Sequence, residues 1–154
     1  LIRKEPNLYA AYKAKATVLM YQAMNNPEST DWLEVERSLE NCREFDIADD
    51  QIIESQFAKA LITKDNESLT NLILEHTAPG AESSVGYYYK ALGSWLNSKD
   101  KPAAIENLKK AISLSPNDKR MSETLNKIKN EEPGKKGMFK FDFSFNIDLE
   151  GNQD

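Results

Sequence analysis

Apolar residues recur at steps of three and four along most of the first 130 positions, the spacing of a helix that buries one face. The first stripe consists of Leu8, Ala11, Tyr12, Ala16 and Leu19. The turn-forming sequence Asn25-Asn26-Pro27 follows it, and residues 29–31 offer N-caps for a second helix. The second stripe consists of Trp32, Val35, Leu39 and Cys42. Two such helices joined by a short turn predict a helical hairpin.

The same pattern predicts two further hairpins and a closing helix. Turn-forming residues separate the stripes at Lys64-Asp65-Asn66, at Pro79-Gly80 and at Lys99-Asp100-Lys101-Pro102. In chain order, the stripes are Ile52, Ile53, Phe57, Ala60 and Leu61; Leu69, Leu72, Ile73 and His76; the segment 84–96; Ala104, Leu108, Ala111 and Ile112; and Met121, Leu125 and Ile128. The expected fold class is therefore all-α.

Three aspartates precede the third predicted helix. Asp46, Asp49 and Asp50 could suggest calcium binding, but they lack the spaced carboxylates, central glycine and closing glutamate of a known calcium loop. Acids at this position accept hydrogen bonds from free backbone N–H groups and favour the positive end of the helix dipole. We therefore expect helix capping here and no metal site.

The third hairpin carries a motif with defined spacing. Its two helices contain Tyr89-x2-Leu92-Gly93-x2-Leu96 and Ala104-x3-Leu108-x2-Ala111-x4-Pro116. This resembles the tetratricopeptide repeat, in which small residues let two helices approach closely while large residues fill the space between them. Looser copies extend the resemblance over residues 1–130, which implies a solenoid of about three antiparallel hairpins plus a capping helix. HEAT-like or irregular helical hairpins are the alternative.

In the tetratricopeptide family, the first helices of successive repeats line a concave groove that binds a segment of a partner. The resemblance therefore implies a groove formed by Lys13, Thr17, Tyr21, Glu54, Ala58, Tyr87, Lys90, Ser94 and Asn97. Some members clamp a C-terminal carboxylate with lysines and asparagines, but Thr17 and Ser55 stand where asparagines would be. We therefore expect a different peptide ligand.

The run Tyr87-Tyr88-Tyr89 by itself predicts an exposed aromatic ring, without reference to the family. Consecutive helical side chains point in different directions, so the three rings cannot all face one core. At least one ring should face outward, either to contact a peptide or to cover its neighbours at the rim.

Composition narrows the class of function. The formal net charge is −5 and the basic residues are interleaved with acids, which disfavours nucleic-acid binding. No apolar run reaches the roughly 20 residues of a membrane-spanning helix. The only histidine, His76, and the only cysteine, Cys42, lie on apolar stripes, where packing is expected rather than catalysis. We expect no enzyme activity and no cofactor, and the compartment stays open, with the cytoplasm slightly favoured over an envelope-associated or periplasmic location.

After a linker at 131–137, the segment 138–154 follows a different pattern. Large apolar residues alternate strictly with polar ones, which predicts a β-strand with one apolar face. That face consists of Phe139, Phe141, Phe143, Phe145, Ile147 and Leu149. The favoured interpretation is pairing with a sheet edge in another subunit or protein. The others are folding back along the groove of its own or a neighbouring copy, the first strand of a further domain, one strand of an outer-membrane barrel, or a disordered tail.

Together these patterns predict an adaptor. A tetratricopeptide-like domain over residues 1–130 would bind a protein or peptide partner, and the C-terminal segment would associate with a partner or with another copy. A structural assembly subunit that oligomerises through this segment is the alternative, as is a regulatory module of a larger protein. No nucleic-acid partner and no membrane span are expected.

Overall fold

A computed structural model of the chain describes residues 6–131, and the predicted linker and C-terminal strand lie outside the described residues apart from Glu131. Every helix that the stripes predict is present, so the all-α class is confirmed for the described residues. The α-helices are α1 (Pro6–Asn25), α2 (Trp32–Arg43), α3 (Asp50–Ile62), α4 (Asn66–Thr77), α5 (Ser84–Ser98), α6 (Lys101–Leu114) and α7 (Lys119–Asn130). A short 3₁₀ turn, Pro27–Ser29, lies between α1 and α2.

Side-chain caps fix where the helices begin. Six N-cap side chains accept hydrogen bonds from backbone N–H groups that have no partner inside the helix. They are Asp31, Asp49, Asp65, Ser83, Asp100 and Asp118, which cap α2 to α7 in that order. The capping role predicted before the third helix is confirmed for Asp49. Asp46 instead adopts a left-handed backbone conformation with φ of 53°.

The described chain divides into two compact units between Lys64 and Asp65. The first unit contains α1, α2 and α3, and α1 packs against both other helices. Small side chains of α1 permit close packing, since Ala16 and Ala23 are buried on either side of Met20. The buried apolar residues of this unit are Ala16, Met20, Ala23, Val35, Leu39, Cys42, Phe45, Ile52, Phe57, Ala58 and Ala60.

The predicted first stripe is wrong at its beginning. Leu8 is 43% exposed and Ala11 is exposed as well. At this end of α1, the rings of Tyr9 and Tyr12 lie 5.4 and 5.9 Å from the ring of Phe45. These two tyrosines cover the end of the core, so the neighbouring face that carries Leu8 and Ala11 is left in contact with solvent.

The second unit is arranged around α5, which packs against α4 and α6, while α7 packs against α6. Tyr88 links α5 to α7, because its hydroxyl lies 3.3 Å from Thr124 Oγ1 and the Arg120 guanidinium lies 4.6 Å from the centre of its ring. The buried residues of α5 are Val85, Gly86, Tyr88, Tyr89, Ala91, Leu92, Gly93 and Trp95. Only a narrow part of the circumference of α5 is therefore accessible to solvent.

The motif residues of the third predicted hairpin are buried where α5 and α6 pack together. Tyr89 and Leu92 of α5 are fully buried. Ala104, Leu108 and Ala111 of α6 are equally inaccessible. Complete burial of a leucine side chain contributes about 1.5–3 kcal/mol to folding, so this contact is a main source of stability for the unit.

The second predicted hairpin is divided between the units, since α3 belongs to the first and α4 to the second. Within the second unit, the end of α4 lies against the start of α5. The N–H of Ser83 donates a hydrogen bond of 2.9 Å to the carbonyl of His76. A Cβ atom built on Gly86 would lie 2.5 Å from the same carbonyl oxygen and 2.8 Å from His76 Cβ. His76 is half-buried, and its backbone lies closest to the position that a side chain at Gly86 would occupy.

We expect the substitution Gly86→Ala to destabilise the protein. Alanine gains about 1 kcal/mol in helix propensity over glycine. The added Cβ would nevertheless force apart two backbones, and overpacking of this kind costs about 1–3 kcal/mol, so a net loss should appear in urea unfolding.

Gly93→Ala is the matched control in the same helix. Its nearest atom would be Leu69 Cδ2 at 3.4 Å, an ordinary contact with a side chain that can adjust. This variant should be as stable as the parent protein or more stable. Equal stability of the two variants would contradict the close approach at Gly86.

Candidate binding surface

One face of α5 stays open along its length. Tyr87, Lys90 and Ser94 are half-buried and Asn97 is exposed. Their spacing of three, four and three residues places them in one row on the helix, and we call this row the open strip. It carries an aromatic ring, an ammonium group, a hydroxyl and an amide.

Tyr87 is the outward-facing member of the tyrosine run, since Tyr88 and Tyr89 are buried. Its hydroxyl donates a hydrogen bond of 2.8 Å to Glu82 Oε2. Lys110 Nζ lies 3.6 Å from the same carboxylate oxygen and 5.8 Å from the centre of the Tyr87 ring. This arrangement holds the ring at one end of the open strip and leaves part of its surface accessible.

The charges around Tyr87 reinforce one another. The hydrogen bond from Tyr87 and the nearby Lys110 ammonium lower the pKa of the Glu82 carboxyl, so it stays ionised. The hydrogen bond to Glu82 raises the pKa of the Tyr87 hydroxyl, which therefore stays protonated as a donor. Tyr87 thus offers a partner the apolar surface of its ring while its polar end is already occupied.

Lys90 is the cation of the open strip and makes no ion pair with any acid in residues 6–131. The Ser94 hydroxyl donates to the carbonyl of Lys90 at 3.1 Å. Asn97 Nδ2 donates to Asn66 Oδ1 of α4 at 3.3 Å. The Lys90 ammonium is therefore available to an anionic group of a ligand, with hydrogen-bonding side chains beside it.

The structure places the other predicted groove residues in the first unit, with different environments. On α1, Lys13 is half-buried, Thr17 is buried at 8% exposure and Tyr21 is 51% exposed. On α3, Glu54 is half-buried and Ala58 is fully buried. Of this group, Tyr21 presents the largest accessible surface.

Lys13 is engaged inside the unit. Its Nζ lies 2.9 Å from Asp49 Oδ2, and the Tyr9 hydroxyl donates to the same oxygen at 2.7 Å. The other oxygen, Oδ1, accepts the N–H of Gln51 at 3.0 Å and caps α3. We call Tyr9, Lys13 and Asp49 the Asp49 cluster. It ties α1 to the beginning of α3, so an anionic ligand of Lys13 would have to compete with an internal carboxylate.

Two opposing effects act on the Asp49 carboxyl. Burial acts to raise its pKa, but the hydrogen bonds from Tyr9 and Lys13 and the positive charge of Lys13 together lower the pKa below its usual value. Burial and the bond to Asp49 raise the pKa of the Tyr9 hydroxyl. At neutral pH the cluster therefore contains an ionised carboxylate and a protonated tyrosine.

Cys42 lies at a buried packing position, as its stripe predicts, with 2% of its surface exposed. Burial, with a contribution from the Asp49 charge, raises the pKa of its thiol to about 11. The thiolate is the reactive form of cysteine, so this thiol is poorly suited to act as a nucleophile at neutral pH.

Sequence reasoning missed the partners of the predicted site residues. Tyr9 and Lys13 are four residues apart on α1 and so share one face, a signal that could have pointed to a common acceptor. Glu82 and Lys110 gave no such signal, since only the packing of α6 against α5 brings Lys110 to Tyr87. Within residues 6–131, no group of three or more His, Cys, Asp or Glu is placed to bind a metal ion, and no helix is long and apolar enough to cross a membrane.

We expect Asp49→Asn to lower stability at neutral pH by about 1–2 kcal/mol, because the amide can still cap α3 but cannot form the ion pair. Since the folded protein holds the pKa of Asp49 below its unfolded value, the carboxylate contributes stability at pH values above about 4. This contribution should disappear as the pH falls through the lowered folded pKa. Urea unfolding at pH 7, 5 and 3 measures it.

Asp31→Asn is the control, because the Asp31 side chain accepts only the backbone N–H groups of Leu33 and Glu34. This change should alter the urea midpoint little at any of the three pH values. If the difference in unfolding free energy between the wild-type protein and Asp49→Asn grew as the pH falls, the stabilising role of the ionised Asp49 carboxylate would be refuted.

Comparisons with known proteins identified no relative of this chain: no protein-family model, no curated protein and no solved structure matches it. The resemblance to the tetratricopeptide repeat therefore stays an expectation based on the motif residues of α5 and α6.

Proposed function

We propose that this chain is a tetratricopeptide-like adaptor that binds an extended segment of a partner protein along α5. The observation that carries the proposal is the open strip. A central helix that is buried against its neighbours keeps one row of residues accessible, and that row combines an aromatic surface with an unpaired cation.

The chemistry of the open strip favours a peptide with an acidic residue. The Lys90 ammonium has no acid partner within residues 6–131, and a charge-assisted hydrogen bond to a carboxylate contributes more than a neutral one. The ring of Tyr87 supplies apolar contact at low entropic cost, because its hydroxyl is already fixed by Glu82. Ser94 and Asn97 offer hydrogen-bonding groups farther along the row.

The proposal includes no catalytic role. The features that catalysis commonly uses are engaged in structure here: Cys42 is buried with a raised thiol pKa, and the Asp49 carboxylate caps a helix while it pairs with Lys13. Binding through the surface requires none of these groups.

The double variant Tyr87→Ala with Lys90→Glu should lose partner binding, because it removes the aromatic contact and reverses the charge of the open strip. We expect at least a tenfold loss of affinity, equivalent to about 1.4 kcal/mol, for a partner recovered by pull-down and then titrated by calorimetry.

The matched control is Asn126→Ala with Lys127→Glu, which makes the same change of charge on the exposed residues of α7. It should bind like the parent protein. Unchanged recovery of every partner by the Tyr87/Lys90 variant would exclude the open strip as the binding site.

The second candidate function is assembly through the C-terminal segment. The observation that favours it is the strict alternation of six large apolar residues from Phe139 to Leu149, which would be prone to aggregate if left exposed. A segment of this kind adds to a sheet edge through its backbone, while its alternate side chains provide specificity.

Deletion of residues 138–154 separates the two functions. If the segment mediates assembly, the deletion should convert an oligomer into a monomer, as measured by light scattering after size exclusion. If the chain acts only as an adaptor, the parent protein and the deletion variant should have the same oligomeric state, and both should bind the peptide.

A further inference from the structure

The face of α6 that does not join the core carries a shallow apolar hollow of about 500 Å³, lined by Lys101, Pro102, Ile105, Glu106 and Lys109. Its apolar surface comes from the proline ring, the isoleucine and the aliphatic stems of the lysines. The residues recur at steps of three and four, so the hollow follows the helix axis. We refer to it as the α6 hollow.

The chain leaves the described region beside the α6 hollow. Lys101 Nζ donates hydrogen bonds to the carbonyl of Lys129 at 2.9 Å and to that of Glu131 at 2.8 Å. These bonds hold the end of α7 against the start of α6. The segment that follows Glu131 therefore starts next to the residue that forms one end of the hollow.

The chain after Glu131 is long enough to reach the α6 hollow, and the spacing of its phenylalanines matches the length of the hollow. The eight residues from Glu131 to Phe139 can span up to about 26 Å, whereas the hollow from Lys101 to Lys109 is about 12 Å long at 1.5 Å per residue. In an extended chain, alternate side chains repeat at about 6.6 Å, so three of them cover about 13 Å. The first three phenylalanines would fill the hollow.

We propose that Phe139, Phe141 and Phe143 bind in the α6 hollow as an extended segment of the same chain. Burial of their rings against Pro102 and Ile105 removes apolar surface from water on both sides of the contact. The occupant is a segment of this chain because its tether starts at the site, which gives it a high effective concentration there.

This inference deepens the proposed role of the C-terminal segment. Docking of the first three phenylalanines would shield half of the apolar face and leave Phe145, Ile147 and Leu149 for a partner. The α6 hollow and the open strip are different surfaces, so the two proposals can fail separately.

Disulfide trapping tests the docking directly. In a Cys42→Ala background, we expect Lys109→Cys with Phe143→Cys, whose side chain would face the hollow, to form an intramolecular disulfide under mild oxidation, seen as a monomer without free thiols on non-reducing electrophoresis. The control pair, Asn97→Cys with Phe143→Cys, places the first cysteine on the open strip. The α6 pair should close at least about tenfold faster than the control.

Each other outcome overturns the proposal. Equal rates would show that the segment does not prefer α6, and faster closure of the control pair would place it on α5. Disulfide-linked dimers would show that a second copy supplies the segment. The absence of any disulfide would show that the segment does not reach the hollow.

Hydrogen exchange provides a second test that does not depend on cysteines. The amides of residues 139–143 should exchange at least about tenfold more slowly than in the free peptide, and Ile105→Glu should abolish this protection. The α6 amides in the same spectrum report whether that variant stays folded. Lys127→Glu on α7 is the control and should keep the protection. Wild-type exchange at the rate of the free peptide would refute docking.

Discussion

The second unit depends on how closely α5 approaches α4 at Gly86. The carbonyl of His76 lies where a side chain at position 86 would begin, and it also accepts the N–H of Ser83 before α5 starts. This contact fixes the entry of α5, which then packs against α4 on one side and α6 on another. Because these contacts use most of the circumference of α5, they also determine which row of its residues can meet a partner.

In the first unit, a polar contact fixes the beginning of α3 and ties it to α1. Asp49 caps α3 with one oxygen and receives the Tyr9 hydroxyl and the Lys13 ammonium with the other. A partly buried carboxylate is costly unless it is paired and hydrogen-bonded, and here all three donors come from the same unit. Lys13 therefore serves the structure of the unit, whereas Lys90 in the second unit remains available to a ligand.

The two proposals assign different tasks to different surfaces. The open strip combines an aromatic ring with a cation and suits recognition of an acidic extended segment. The α6 hollow is almost entirely apolar and lies where the chain leaves α7, which suits a tethered segment of alternating phenylalanines. An adaptor built in this way would hold part of its own C-terminal segment while it binds a partner elsewhere.

The sequence by itself determined the helices, because periodicity and capping are local. The stripes predicted all seven α-helices found within residues 6–131, and the acids before α3 predicted its cap. The motif of the third hairpin likewise identified the buried residues at the contact of α5 with α6, since small and large residues at helical spacing specify packing.

Tertiary structure decided what depends on residues far apart in the chain. The Leu92-Gly93 motif drew attention to Gly93, yet the close backbone approach is at Gly86, which only the placement of His76 reveals. Lys13 and Lys90 were predicted as equivalent groove residues, but Asp49 engages only Lys13. Local pattern specifies which face of a helix is apolar, while the partner of each side chain depends on how the helices pack.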